Sequence, residues 1–494
     1  VEDDAPVSGS PSDRLRARAV AVGLVLGVLL SACQSAPRVG AGASPTGEEM
    51  APSALAVRPT NGETAPSAAE ATPASPSRAI AASSTVPGRV DRTSLDLVGT
   101  YSVSLHVAFD AGAISVFTTL SVTNAAAQPI DRLELNTIAA RLGRLRLGSV
   151  SVDGRSVAAS VDDQTLIVPL GGLLGPGAST VVRVHYSATL RRSVTGSDWL
   201  FAKANGIVDL YRWIPWLSLR RPFDRPNDGD PFLTVASPLV RVAITTDRPL
   251  VIAATGRRVD HRGLVQTFEA RDVRDMTITA SPYYRLTSAT IGAISVRVYA
   301  KPGFPAATVL GYARTALARM GPLAGTYPYP TYTVAQSAGG DGMESPELSW
   351  IPAGPTGQHL HWLVTHETAH QWFYGLVGSD QARQPFADEA MADELARYVS
   401  AIRRPSRCAI ARLDRSIYAY SRACYFEVIY VQGSTFLDTL RLRMGTTRFW
   451  TAVRAYVAAH RLGIATTRDL LEALDAATAL DLRPAFHARF PSLY

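Results

Sequence analysis

Two histidines four positions apart, with a glutamate after the first, are the residues of this chain best equipped for chemistry: His366-Glu367-Thr368-Ala369-His370. Residues 358–376 carry apolar side chains at helical spacing, and four residues are about one turn, so both imidazoles leave the same face. Imidazoles placed in that way can hold one Zn²⁺, and Glu367 then stands where a base is needed beside water activated at the ion. A catalytic zinc needs a third protein ligand and an open position. Glu389, nineteen residues after His370, offers that ligand from the start of an Ala-rich helix expected over residues 388–402. The interval leaves room for a loop and for a second helix to pack back against the first. At the His and Glu frequencies of this chain, the pattern H-E-x-x-H arises by chance in roughly one such chain in a hundred. A helical His pair that serves only packing is the weaker reading.

The scaffold for these residues is written in three compositional regions. Near the start, Arg14, Arg16 and Arg18 precede an apolar stretch from Ala19 to Leu30. That stretch is too short to cross a hydrocarbon core of about 30 Å as a helix, so it reads as a secretion signal, residues 1–32. It ends in Leu30-Ser31-Ala32-Cys33, which resembles the lipobox of bacterial lipoproteins and marks Cys33 for acylation. The expectation is an exported lipoprotein, anchored to the cell membrane and facing outside the cytoplasm. Residues 33–95 are rich in Ala, Pro, Ser, Thr and Gly and read as a flexible tether reaching on the order of 40 Å.

From 96 to 284 the pattern alternates with period two, as in Tyr101–Val107 and Thr180–Tyr186, broken by turn signals such as Asp153-Gly154 and Pro176-Gly177. This is expected to be an antiparallel β sandwich or saddle. Its aromatic cluster Tyr211-Arg212-Trp213-Ile214-Pro215-Trp216 reads as core or interface packing. Residues 285–494 carry the metal motif. Charge adds little: 47 of the 49 basic residues are arginine, spread thinly with no run of five, so a nucleic-acid partner is not expected. Three cysteines exclude a disulfide-rich scaffold. Cys408 and Cys424 are equally compatible with a bridge or with buried thiols.

The motif with Gln371-Trp372-Phe373 after it, Glu389 in Asp388-Glu389-Ala390, Gly342-Met343-Glu344, and Tyr327-Pro328-Tyr329-Pro330 together resemble the aminopeptidase N-like gluzincin family. The resemblance spans residues 96–494. It implies a multidomain β + α/β architecture, a β-rich first domain followed by a thermolysin-like, mainly helical zinc peptidase domain (residues 285–494), without the long helical C-terminal domain of larger members. It implies one Zn²⁺ held by His366, His370 and Glu389, with Glu367 as the proton shuttle. Tyr430, placed at a helix start, would hydrogen-bond the developing charge on the substrate carbonyl; Tyr418, Tyr420 and Tyr425 are rivals. Gly342, Met343 and Glu344 would form the substrate strand, with Glu344 accepting the free α-ammonium of a peptide. Three departures from the family pattern stand out: Ser345 replaces an Asn, Asp388 replaces an Asn, and Asp393 stands where a small hydroxyl residue is common. Asp393 is expected to orient a metal-bound histidine, as an acid does in thermolysin-type enzymes.

The expected activity is therefore a zinc-dependent aminopeptidase. A zinc endopeptidase or another amide hydrolase is the alternative on the same site. A scaffold protein on a retired peptidase fold is the third, disfavoured because a binding module needs neither the full ligand set nor Glu367.

Overall fold

Long alternating strands build the first half of the molecule. The computed structural model describes residues 84–222 and 233–494. In strand Leu97–Ala108 every second side chain is buried, as the alternation requires. That strand lies inside an eight-stranded sheet, between Ala113–Asn124 and Leu239–Thr246. The pairing with Ala113–Asn124 is antiparallel, but Leu239–Thr246 runs parallel, with Tyr101 opposite Val240. The sheet is therefore mixed rather than purely antiparallel, because the chain crosses two smaller sheets before returning beside its first strand. Asp153 and Gly154 both take positive φ, 48° and 80°, and join Arg146–Val152 to Arg155–Ser156 in a tight hairpin.

A four-stranded sheet containing Ile130–Asn136 and Thr165–Leu174 meets the large one at an aromatic contact. There Trp216 stacks on Tyr101 with ring centroids 4.3 Å apart, and the Leu217 N–H donates to Tyr101 Oη at 2.9 Å. Tyr211, Trp213 and Trp216 are all buried, so the aromatic cluster is core. The segment expected to be linker is partly fixed: the N–H groups of Val90, Asp91 and Arg92 all donate to the Asp131 carboxylate, at 2.7–2.9 Å. Val86 pairs with Leu173, and Ser84 binds Asp153. These backbone donors are satisfied without large apolar side chains, which is why composition placed them with the tether. The segment expected to be a secretion signal, Cys33 and the expected linker up to residue 83 lie outside the described residues.

The second half opens with a five-stranded sheet in the order Arg285–Ile291, Ile294–Ala300, Thr331–Gln336, Leu348–Ile351, Met343–Ser345. Its three central strands are parallel and its two edge pairings antiparallel. Helix Ala306–Ala324 makes the crossover between the first parallel pair, and helices Gly357–Ala369, Met391–Ser400, Gly433–Met444 and Thr446–Ala459 follow. The described residues belong to one compact unit with a shared core. No described helix is long and apolar enough to cross a membrane.

One buried acid ties the β-rich half to the loop that leads into the edge strand. Asp209 is fully buried, and its two oxygens accept from Thr279 Oγ1 at 2.6 Å and from the Ala338 N–H at 2.7 Å. Burial outweighs these bonds and pushes its carboxyl up to about 7, from an ordinary value of 3.8. The folded state thus binds the extra proton between those values. Stability contributed by this group is present at low pH and is lost as pH rises toward 7. Asp209→Asn, which keeps the shape without the charge, is expected to gain on the wild type between pH 5 and 8 by on the order of a few kcal/mol. Thermal melts across that range check it; parallel curves for the two proteins would contradict it.

Candidate active site

His366 and Glu367 sit in the last turn of helix Gly357–Ala369, and His370 caps it. The expected helix stops well short of residue 376 because the chain turns sharply: Tyr374 takes φ 112°, and Phe373 bridges Val377. The second helix begins as a π-helical turn, Phe386–Ala390, and continues as Met391–Ser400. It ends at Ala401, whose φ of 61° breaks the ladder. Glu389 lies in the π turn, a wide backbone geometry often found where a functional side chain must be aimed.

These elements bring three ligand atoms together. His366 Nε2 and His370 Nε2 are 3.0 Å apart, and Glu389 Oε2 is 3.3 Å from each. A tetrahedral ion with bonds of about 2.0–2.1 Å has ligand–ligand edges of about 3.3 Å, so the triangle matches one face of such a site. Glu389 Oε2 is buried and makes no well-formed hydrogen bond, a cost that a cation would remove. Two imidazoles and one carboxylate, all buried, are a zinc donor set, and they are the metal-type cluster among the described residues.

The surroundings treat the two histidines differently. His370 Nδ1 is 2.9 Å from both Asp388 Oδ1 and the Phe373 carbonyl oxygen, which keeps the proton on Nδ1 and frees Nε2 for a metal. Burial opposes a charge on this ring, but the Asp388, Glu389 and Glu344 carboxylates raise its pKa well above the usual value. At His366 burial prevails and lowers it. Asp393, expected to orient a histidine, lies with Oδ1 3.7 Å from His366 Nδ1, beyond hydrogen-bond range. Its Oδ1 instead accepts from Trp362 Nε1 at 2.7 Å and from Arg404 Nη2 at 2.5 Å. The orienting pairing falls to Asp388, the residue visible in the sequence only as a departure from the family pattern.

Glu367 faces the same cavity, of about 220 Å³. Burial raises its pKa well above the ordinary carboxylate value; His370 opposes this, while Glu344, Glu389 and Asp341 add to it. Oε2 is buried without a hydrogen-bond partner. The edge strand Met343–Ser345 brings Glu344 and Met343 to the wall, and Gly342 precedes it. Any side chain at Gly342 would land on Glu367 Oε1, so this glycine allows strand and base to touch. Gly340, at φ 82°, packs so closely on the Trp199 indole that a Cβ would collide with the ring. Trp199 and Val194, from the β-rich half, thereby become cavity wall.

Tyr430 also lines the cavity, its ring 5.3 Å from that of His366. It lies inside a π-helical turn, Phe426–Gln432, rather than at a helix start, because Ser421 caps the helix earlier by accepting the Cys424 N–H. Among the rivals, Tyr420 donates to the Arg412 carbonyl oxygen, and Tyr425 is buried behind Tyr430 with centroids 5.7 Å apart. Tyr418 is exposed. None of the three lines the cavity. Cys408 and Cys424 form a disulfide, which pins the segment before this helix.

A mixed β half, a five-stranded sheet and a His-His-Glu cluster on two helices together make up the architecture around a candidate metal site. Among solved structures, the chain is similar to the M1 zinc metallopeptidase from Deinococcus radiodurans, with a TM-score of 0.62 and 20% identity over 82% of this chain and 96% of that one. It is similar to a two-domain M1 zinc metallopeptidase mutant bound to L-arginine, with a TM-score of 0.60 and 20% identity over 80% and 93%. A mutant of the Deinococcus radiodurans protein bound to a Tyr-Ser-Ala substrate gives 0.60 and 20% over 82% and 96%. No protein-family model matches the chain, and no curated protein matches its sequence. The chain has the fold of the M1 zinc metallopeptidases.

Proposed function

We propose that this chain is a zinc-dependent aminopeptidase, hydrolysing the first peptide bond of substrates with a free N-terminus. The observation that carries the reading is the buried Glu344 carboxylate in the same cavity as His366, His370, Glu389 and Glu367. A desolvated ammonium must be paired, and a buried acid in the wall of the cavity selects for chain ends over internal bonds. Neighbours of this fold have been seen with L-arginine and with Tyr-Ser-Ala, which accords with a peptide-sized site.

Zn²⁺ held by His366, His370 and Glu389 would polarise the scissile carbonyl and make water nucleophilic near neutral pH. Glu367, its carboxyl already raised by burial, accepts a proton on Oε2 and passes it to the leaving amine. Asp388 holds the His370 ring in one orientation. Tyr430 donates its phenolic proton toward the carbonyl oxygen as negative charge develops there. Glu344 fixes the substrate ammonium and so the register of the cleaved bond. The test is discrimination between aminoacyl reporters and their N-acetylated forms, for which the Glu344→Ala variant is the control.

The same reading places the enzyme outside the cytoplasm, tethered to a membrane by lipid on Cys33. The motif Leu30-Ser31-Ala32-Cys33 motivates this. Fatty-acid labelling of the full chain is expected to vanish in Cys33→Ser; equal labelling of both proteins would refute the anchor.

A further inference from the structure

Behind the metal cluster a single amide touches both working ends of the site. Gln381 is buried, in the loop between the two metal helices. Its Nε2 donates to Asp388 Oδ2 at 2.6 Å and to Glu344 Oε1 at 3.2 Å, so both amide hydrogens are committed to carboxylates. Its Oε1 accepts from Arg212 Nη2 at 3.4 Å. Arg212 comes from the β-rich half, is itself buried, and donates to Tyr374 Oη at 2.8 Å. With a guanidinium on one side and two carboxylates on the other, the amide has one favourable orientation. Turned over, its oxygen would face Asp388 and Glu344, and its nitrogen would face Arg212.

Asp388 spends its other oxygen on His370 Nδ1. The chain of contacts therefore runs from Arg212 through Gln381 and Asp388 to a metal-site ring, with a branch to Glu344. We propose that Gln381 is a positioning residue that sets the Glu344 carboxylate and, through Asp388, the His370 ring, so that ammonium capture and metal retention depend on one side chain. The ammonium branch rests on the aminopeptidase reading; the metal branch stands without it. Tyr374 and Ser345 both donate to Asp275, a buried acid 3.9 Å from Arg212 Nε. The cation that orients the amide is thus itself held in place, and Ser345 is the neighbour of Glu344 on the edge strand.

The experiment uses the full chain and Gln381→Leu, which keeps the bulk and removes both donors. Zinc affinity is read by competition with a chromogenic chelator, and kcat and KM by an aminoacyl reporter at saturating zinc. Zinc binding is expected to weaken by roughly 10- to 100-fold. KM for the free-amine reporter is expected to rise roughly tenfold as Glu344 loses its donor. A purely structural role would lower the melting temperature while leaving zinc affinity and KM of the folded protein at wild-type values, and that result overturns the proposal. If Gln381→Leu does not fold, Gln381→Glu keeps the shape and replaces the donor by an acceptor. Both losses are expected there too, and wild-type zinc affinity with wild-type KM would again overturn it. If the wild type binds zinc but turns over no free-amine reporter, the aminopeptidase reading fails and the zinc titration alone decides.

Discussion

Glu367→Gln is expected to lower kcat by about 10²–10⁴-fold while leaving one zinc per chain and KM within a few-fold of wild type. Gln fills the same space, so Gly342, which packs against this side chain, need not move. The ligand triangle of His366, His370 and Glu389 is untouched, and Asp388 still holds His370. What is lost is the ability to take up a proton at Oε2, the oxygen left without a hydrogen-bond partner. An amide can neither accept that proton nor return it to the leaving amine, so the defect belongs to the chemical step rather than to binding. Metal analysis and steady-state kinetics on the same preparation check both halves. A kcat within tenfold of wild type, with zinc retained, would remove Glu367 from the mechanism.

The His-His-Glu cluster was legible in the sequence because a single helix turn encodes two of its members. The relation between residues 366 and 370 is local, and local geometry survives any tertiary arrangement. Glu389 was legible at one remove, since it needs only a second helix packed on the first. Asp388 and Asp393 show where that legibility ends. Both are acids near Glu389, but which one reaches a histidine depends on the π turn at Phe386–Ala390 and on who else competes for Asp393. A helical wheel shows neither the widened turn nor the claims of Trp362 and Arg404. Gln381 had little local signal: Asp388 is near in sequence, but Arg212 and Glu344 lie 169 and 37 positions away. The β half was legible as alternating strands but not in the parallel pairing of Leu97–Ala108 with Leu239–Thr246, because alternation is blind to the direction of a neighbouring strand.

Glu344→Ala is expected to lower kcat/KM for a free-amine reporter by about 10²–10³-fold and to bring it close to the rate for the N-acetylated form. The wild type, by contrast, should favour the free amine by a similar factor. Truncating one member of a buried charge pair costs on the order of 2–5 kcal/mol, because the partner is left desolvated and unpaired. Here the unpaired partner would be the substrate's own ammonium, so the penalty falls on free-amine substrates and spares acetylated ones. That asymmetry separates an anchoring carboxylate from a general electrostatic one. If Glu344 merely added negative charge beside Glu367, whose pKa it helps to raise, its removal would change both substrates alike and leave their ratio intact. Equal loss on the two reporters, or a wild type that cleaves both equally well, would favour an endopeptidase or a broader amide hydrolase. The variant also frees one amide hydrogen of Gln381, leaving its bond to Asp388 and hence the hold on His370 in place. Zinc affinity should therefore change little in Glu344→Ala, so a lost preference for free amines can be assigned to the anchor rather than to a damaged metal site.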